Sequence, residues 1–146
     1  MNDSDRISIG VGAVVFKGDE ALLIQRGKPP FEGQWSVPGG KLKFGERLHD
    51  AVRREVREET GIEIDIIGLI DVFEVTGSEE KGAIGGHIVL VDYVAEWVSG
   101  APRAGDDAAA AEFVNIETAM ARLSWDETRR ALARALEIRK ADVSAP

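Results

Sequence analysis

The stretch PGGKLKFGERLHDAVRREVREETGI, residues 38–62, constrains this chain more than any other. Two glycines and a short loop lead into a helix predicted over Leu48–Thr60, with Gly61 placed as its C′ residue. Take Glu55 as zero and advance about 100° per residue: Leu48 falls near 20°, Ala51 near 320°, Val52 near 60° and Val56 near 100°. Glu58, at about 300°, and Glu59, at about 40°, share that half of the helix. His49, Asp50, Arg53 and Arg57 take the other half. An ordinary amphipathic helix turns its carboxylates outward with its arginines. This one extends its apolar stripe with glutamates.

Three physical rules oppose that arrangement. Like charges one turn apart repel, buried carboxylates without partners are costly, and the C-terminal end of a helix disfavours anions. A site that breaks several rules together calls for a compensating ligand. All-oxygen donors suit a hard cation such as Mg²⁺, which retains waters and shares its shell with substrate phosphates. The competing explanation is a solvated acidic patch neutralised by Arg53, Arg54 and Arg57.

The spacing of Gly40, Glu46, Arg54, Glu55, Val56, Glu58, Glu59, Gly61 and Ile62 resembles the signature of the Nudix hydrolase family, with no departure. The resemblance implies a Nudix-type α/β/α sandwich with a mixed central sheet, an α+β fold covering nearly the whole chain. It also implies Mg²⁺ as cofactor, with Mn²⁺ a possible substitute. Glu55 and Glu59 are the leading ligands, Glu58 a third ligand or the general base, and the Gly40 carbonyl the closing donor. Arg54 is expected to orient a carboxylate, Glu46 or Glu55, rather than touch substrate. Glu46 also has a sound role as an anion at the helix entrance. Family members place a further carboxylate in a late loop, so Asp106, Asp107 and Glu112 join Glu58 as candidates for the base.

The chain has 146 residues, 44% hydrophobic, which fits a single domain over 1–146 with residues 1–6 and 141–146 as flexible ends. Net charge is −8, which argues against a broad nucleic-acid or anionic-membrane surface. A small phosphorylated substrate remains compatible, because a metal supplies positive charge locally. There is no cysteine, so thiolate sites and disulfides are excluded, and the two histidines give little support to His-based chemistry. No apolar run reaches the roughly 18 residues of a membrane helix, and the polar N-terminus lacks a secretory pattern. A soluble cytoplasmic protein is the default.

Taken in order, residues 7–16 and 21–25 read as a strand pair around a turn at residues 17–20. Residues 26–36 form a Gly/Pro-rich loop holding Arg26, Phe31 and Trp35. Arg26, Trp35 and Gly39 are the expected substrate contacts, and Gly39 and Gly40 are expected to use backbone conformations closed to other residues. Residues 63–75 and 87–98 read as strands joined by a hairpin over 76–86. Residues 99–111 read as a loop, 112–115 as a short strand and 116–123 as a helix or turn. A last helix runs to about Lys140, with Ser124 as N-cap and Glu127 as its capping-box partner.

Text around the motif (VGAVVF, LLIQRGKPPFEGQWSVPGGKLKFGE, GDDAAAAEFV) is similar to the small ADP-ribose pyrophosphatase-like subgroup. ADP-ribose, hydrolysed to AMP and ribose 5-phosphate, is therefore the leading substrate. A MutT-like pyrophosphohydrolase of an oxidised nucleoside triphosphate is the alternative, and a nucleotide-binding regulatory module without turnover a third. The partner is a small nucleotide; a second copy of the chain, a homodimer, stays open.

Overall fold

The computed structural model describes residues 6–29, 31–76 and 87–144. The elements are β1 (Ile7–Lys17), β2 (Glu20–Arg26), β3 (Trp35–Ser36), β4 (Gly39–Lys41), α1 (Leu48–Thr60), β5 (Glu63–Thr76), β6 (His87–Ser99), β7 (Ala108–Asn115), α2 (Ile116–Arg122) and α3 (Asp126–Ser144). The strands form one mixed sheet in the order β3-β2-β1-β6-β5, with β4 added to β1 and β7 to β2. β1 and β6 run parallel from Ile7↔His87 to Phe16↔Glu96, and the other pairings are antiparallel.

Alternation along the strands builds two cores. Val11, Ala13, Val15 and Leu22 face Ala51, Val52 and Val56 of α1. Val14, Phe16, Ala21 and Leu23 face Ala119 of α2 and Ala131, Leu132 and Ala135 of α3. One helix thus covers one face of the sheet and two cover the other, the expected α/β/α sandwich. Arg139 fastens α3 by donating from Nε and Nη2 to the Glu96 carboxylate (2.5 and 2.9 Å) and from Nη1 to the Gly18 carbonyl (2.7 Å).

Several sequence expectations change. β1 and β2 pair only beside their turn, at Phe16↔Ala21 and Lys17↔Glu20. Beyond it they splay, because β4 inserts against Gly10, Val11 and Gly12. The 26–36 loop therefore ends in β3, and the Gly-Gly pair that follows is itself a strand. β7 starts at Ala108 rather than at Glu112, since β2 offers it partners as far as Arg26. α3 begins at Asp126 and runs to Ser144. Ser124 does not cap it: its Oγ accepts from the Trp35 N–H at 3.2 Å, joining β3 to the α2–α3 connection. The expected hairpin over 76–86 lies almost wholly outside the described residues, as do the first five residues.

Candidate active site

α1 takes the predicted span, and Gly61 closes it in the left-handed conformation (φ 75°), donating to the Arg57 carbonyl at 2.9 Å. β4 crosses the N-terminal part of β1 so closely that a Cβ on Gly39 would overlap the Val11 carbonyl. A Cβ on Gly40 would overlap the Glu55 carboxylate. Neither glycine has positive φ. Glycine is needed here for space, not for the unusual backbone conformation expected from sequence.

The glutamates divide by environment. Glu55 lies against Gly40 with its side chain 12% exposed. Glu59 is buried, and its Oε1 accepts from the Gly39 N–H at 2.7 Å. Burial pushes the Glu59 carboxyl up to about 7; the Gly39 N–H opposes this, Glu55 and Asp106 add to it, and Arg26 opposes it weakly. Glu58 is 42% exposed and accepts from Arg54 Nη1 at 3.2 Å. The same Nη1 donates to Glu55 Oε1 at 2.7 Å.

Arg54 also forks onto Glu46, donating from Nε to Oε2 (2.7 Å) and from Nη2 to Oε1 (2.9 Å), and from Nη2 to the Lys41 carbonyl (3.1 Å). Every nitrogen of the guanidinium is thus engaged by the motif. Its contacts are with both of the carboxylates expected from the sequence, Glu46 and Glu55. The fork holds the Glu46 carboxyl down at about 2.

The donor chemistry fits a hard divalent cation: Glu55 and Glu59 are one turn apart, the Glu55 charge helps to raise the Glu59 carboxyl, and both side chains lie against the Gly39–Gly40 backbone. Among the described residues, no three acidic or histidine side chains yet converge on one point. Arg54 instead engages Glu55 and Glu58 together.

Glu59, Gly39 and Gly40 form one end of a cleft of about 270 Å³. Ser8, Gly10 and Gly12 line it without bulk, and Arg26, Phe31 and Trp125 line it too. The Phe31 and Trp125 rings meet edge to face at 5.3 Å, with Phe31 held at φ 64°. Trp125 is a cleft residue that sequence reasoning missed. A Trp ahead of a helix carries no sign that a loop ninety residues earlier will meet it.

The other sequence candidates separate. Arg26 reaches the cleft, at the end of β2. Trp35 does not line it: the ring packs into the α3-side core with the Arg122 guanidinium over it at 5.0 Å. Glu112 is paired with Arg122 and stands opposite Leu23, on the α2 side of the sheet, away from the α1 glutamates. Asp107 is bound to Lys28 at 3.0 Å. Asp106 adopts φ 53° beside the α1 C-terminus, close enough to affect Glu59.

Comparison with solved structures gives the class of protein. The fold matches a MutT Nudix hydrolase from Burkholderia pseudomallei with a TM-score of 0.74 and 30% identity, covering 89% of this chain and 98% of that one. The family follows directly: the description "NUDIX domain" matches residues 6–136, and the chain belongs to that family as a Nudix hydrolase, acting on phosphoanhydride bonds. Two relatives bear on chemistry. An "ADP-ribose pyrophosphatase" of Methanocaldococcus jannaschii is 30% identical over 84% of this chain and 69% of its own length. A Mycobacterium tuberculosis protein named "Putative 8-oxo-dGTP diphosphatase 2" is 33% identical over 92% of this chain and 94% of its own.

Proposed function

We propose that this Nudix hydrolase cleaves the pyrophosphate of a nucleoside diphosphate linked to another moiety, with ADP-ribose as the leading substrate and AMP and ribose 5-phosphate as products. The observation that carries the proposal is the placing of Glu59, backbone-anchored and buried, in the lining of the same cleft as the Phe31–Trp125 aromatic pair. Glu55, Glu58, Glu59 and the Gly40 carbonyl would hold Mg²⁺, or Mn²⁺ in its place. Bound there, the ion would neutralise the diphosphate and lower the pKa of a coordinated water.

The chain's own residues supply the rest. Arg54 keeps Glu55 on the Gly40 side and releases the exposed Glu58 to turn inward. Arg26 meets a phosphate in the cleft, and the Phe31–Trp125 pair packs against the nucleoside. Asp106 accepts the proton of the water whose oxygen bonds to phosphorus. The bridging oxygen then leaves with the electron pair of the broken P–O bond. Asp106 is preferred over Asp107 and Glu112 because those two carboxylates are engaged by Lys28 and Arg122.

A second reading, hydrolysis of an oxidised nucleoside triphosphate, is favoured by the name of the M. tuberculosis relative and by an aromatic wall that suits any purine. The deciding experiment supplies ADP-ribose, NADH, a sugar nucleotide, a diadenosine polyphosphate and 8-oxo-dGTP with Mg²⁺ and identifies products by mass. The lead predicts the highest kcat/KM for ADP-ribose, yielding AMP and ribose 5-phosphate. A preference for 8-oxo-dGTP by orders of magnitude selects the second reading. Nucleotide binding without turnover selects a regulatory module.

A further inference from the structure

The segment between β6 and β7 is tied down at two places that matter for the site. Its first anchor is the last turn of α1, whose carbonyls have no donor within the helix. The Arg103 N–H donates to the Thr60 carbonyl at 3.0 Å, and the Gly105 N–H to the Glu59 carbonyl at 2.9 Å. The approach is close enough that a Cβ on Gly105 would overlap the Glu58 carbonyl oxygen. Gly105 does not have positive φ, so the requirement is for room alone. The second anchor is the end of β2. The Gly27 N–H donates to the Asp107 carbonyl at 2.8 Å, where a Cβ on Gly27 would come within 2.9 Å of that oxygen. Lys28 Nζ then holds the Asp107 carboxylate at 3.0 Å.

Asp106 sits between these anchors in the left-handed region, at φ 53°. Asp tolerates that region better than most residues, but a non-glycine held there is strained and persists only where its surroundings hold it. The anchors give that support. They also bracket Asp106 in the chain: the preceding Gly105 N–H is bound to the Glu59 carbonyl, and the following Asp107 to Gly27 and Lys28.

We propose that residues 100–107 form a clamp that sets Asp106 beside the Glu59 end of α1, and that Gly105 is a positioning residue for hydrolysis, acting through Asp106. This rests on the reading of the α1 glutamates as the hydrolytic centre. Gly105 touches no substrate atom. It determines how far the loop can close on the helix, and so the distance between the proton acceptor and the attacking water. An added methyl would lift the loop, and Asp106 with it, from the Glu58 and Glu59 carbonyls. Displacement of a catalytic group by about 1 Å can cost on the order of 100-fold in rate.

A double-mutant cycle in kcat and KM, using ADP-ribose with Mg²⁺, tests this. Asp106→Asn removes the proton acceptor while keeping a side chain at ease with positive φ. It should lower kcat by about 100-fold or more and leave KM within about threefold. Gly105→Ala should lower kcat by at least about tenfold with KM similarly preserved, and the double variant should be no slower than Asp106→Asn alone. Lys28→Ala, exposed and harmless to folding, gives an independent handle on the second anchor. Its loss of kcat, about threefold, should vanish in the Asp106→Asn background. Multiplying effects, or a wild-type kcat in Gly105→Ala, would overturn the clamp while leaving the hydrolytic centre intact. A wild-type protein inactive toward ADP-ribose, 8-oxo-dGTP and the other nucleotides of the panel would instead remove the hydrolytic reading and the clamp's role with it.

Discussion

Arg54 divides one guanidinium among Glu46, Glu55, Glu58 and the Lys41 carbonyl, so the motif's internal geometry is decided by single contacts. The sharpest is at Gly40. Replacement by Ala puts a methyl where the Glu55 carboxylate now lies, and the carboxylate must move. Gly40→Ala is expected to lower kcat/KM about 100-fold while the far-ultraviolet spectrum is unchanged. Glu46 yields a pH prediction. The hydrogen bonds from Arg54, ahead of the Lys43 N–H, lower its carboxyl from 4.5 to about 2 on folding. A depressed folded-state pKa stabilises fully above the unfolded value and is lost as pH falls through the folded one. Wild-type stability to urea should therefore decline between about pH 4.5 and pH 2 more steeply than that of Glu46→Gln, and equal slopes would count against the fork.

At the scale of elements, what could be read from sequence followed from how local each signal was. α1 was legible to its last residue because periodicity, the Gly61 stop and the glutamate angles all belong to one continuous stretch. β3 and β4 were not, being two and three residues long and existing only because distant partners, β2 and Gly10–Val11–Gly12, lie alongside. The alanines that open β7 have little strand preference of their own, and pairing with β2 outweighs it. Ser124 had a sound local reading as a cap, but the Trp35 N–H claims its hydroxyl. α3 was expected to cover the sheet, and Leu132, 1% exposed, marks where it does so. Leu132→Ala should cost about 2–5 kcal/mol in urea unfolding, since the rigid α3-side core cannot close over the void. A cost near zero would mean that α3 is dispensable to the sandwich.

Across the whole molecule, an acidic chain of net charge −8 places two cations, Arg26 and Lys41, in the lining of its cleft with the buried Glu59. That distribution suits a small polyphosphate entering a metal-charged site. Among the described residues no helix is long and apolar enough to cross a membrane. Family and fold were readable from the motif because its residues serve the chemistry shared by the whole class. The choice of substrate was not, since the cleft is assembled from Gly10, Phe31 and Trp125, which only the closed sandwich brings together. The central claim is that α1 carries out hydrolysis through carboxylates that hold a divalent ion. Its most direct test is the rate of ADP-ribose hydrolysis against Mg²⁺ concentration, for wild type and Glu59→Gln side by side. The account predicts saturable Mg²⁺ dependence abolished by chelation, and a variant at least about 100-fold slower with an undiminished thermal midpoint. Hydrolysis that survives chelation, or a Glu59→Gln variant as fast as wild type, would contradict it.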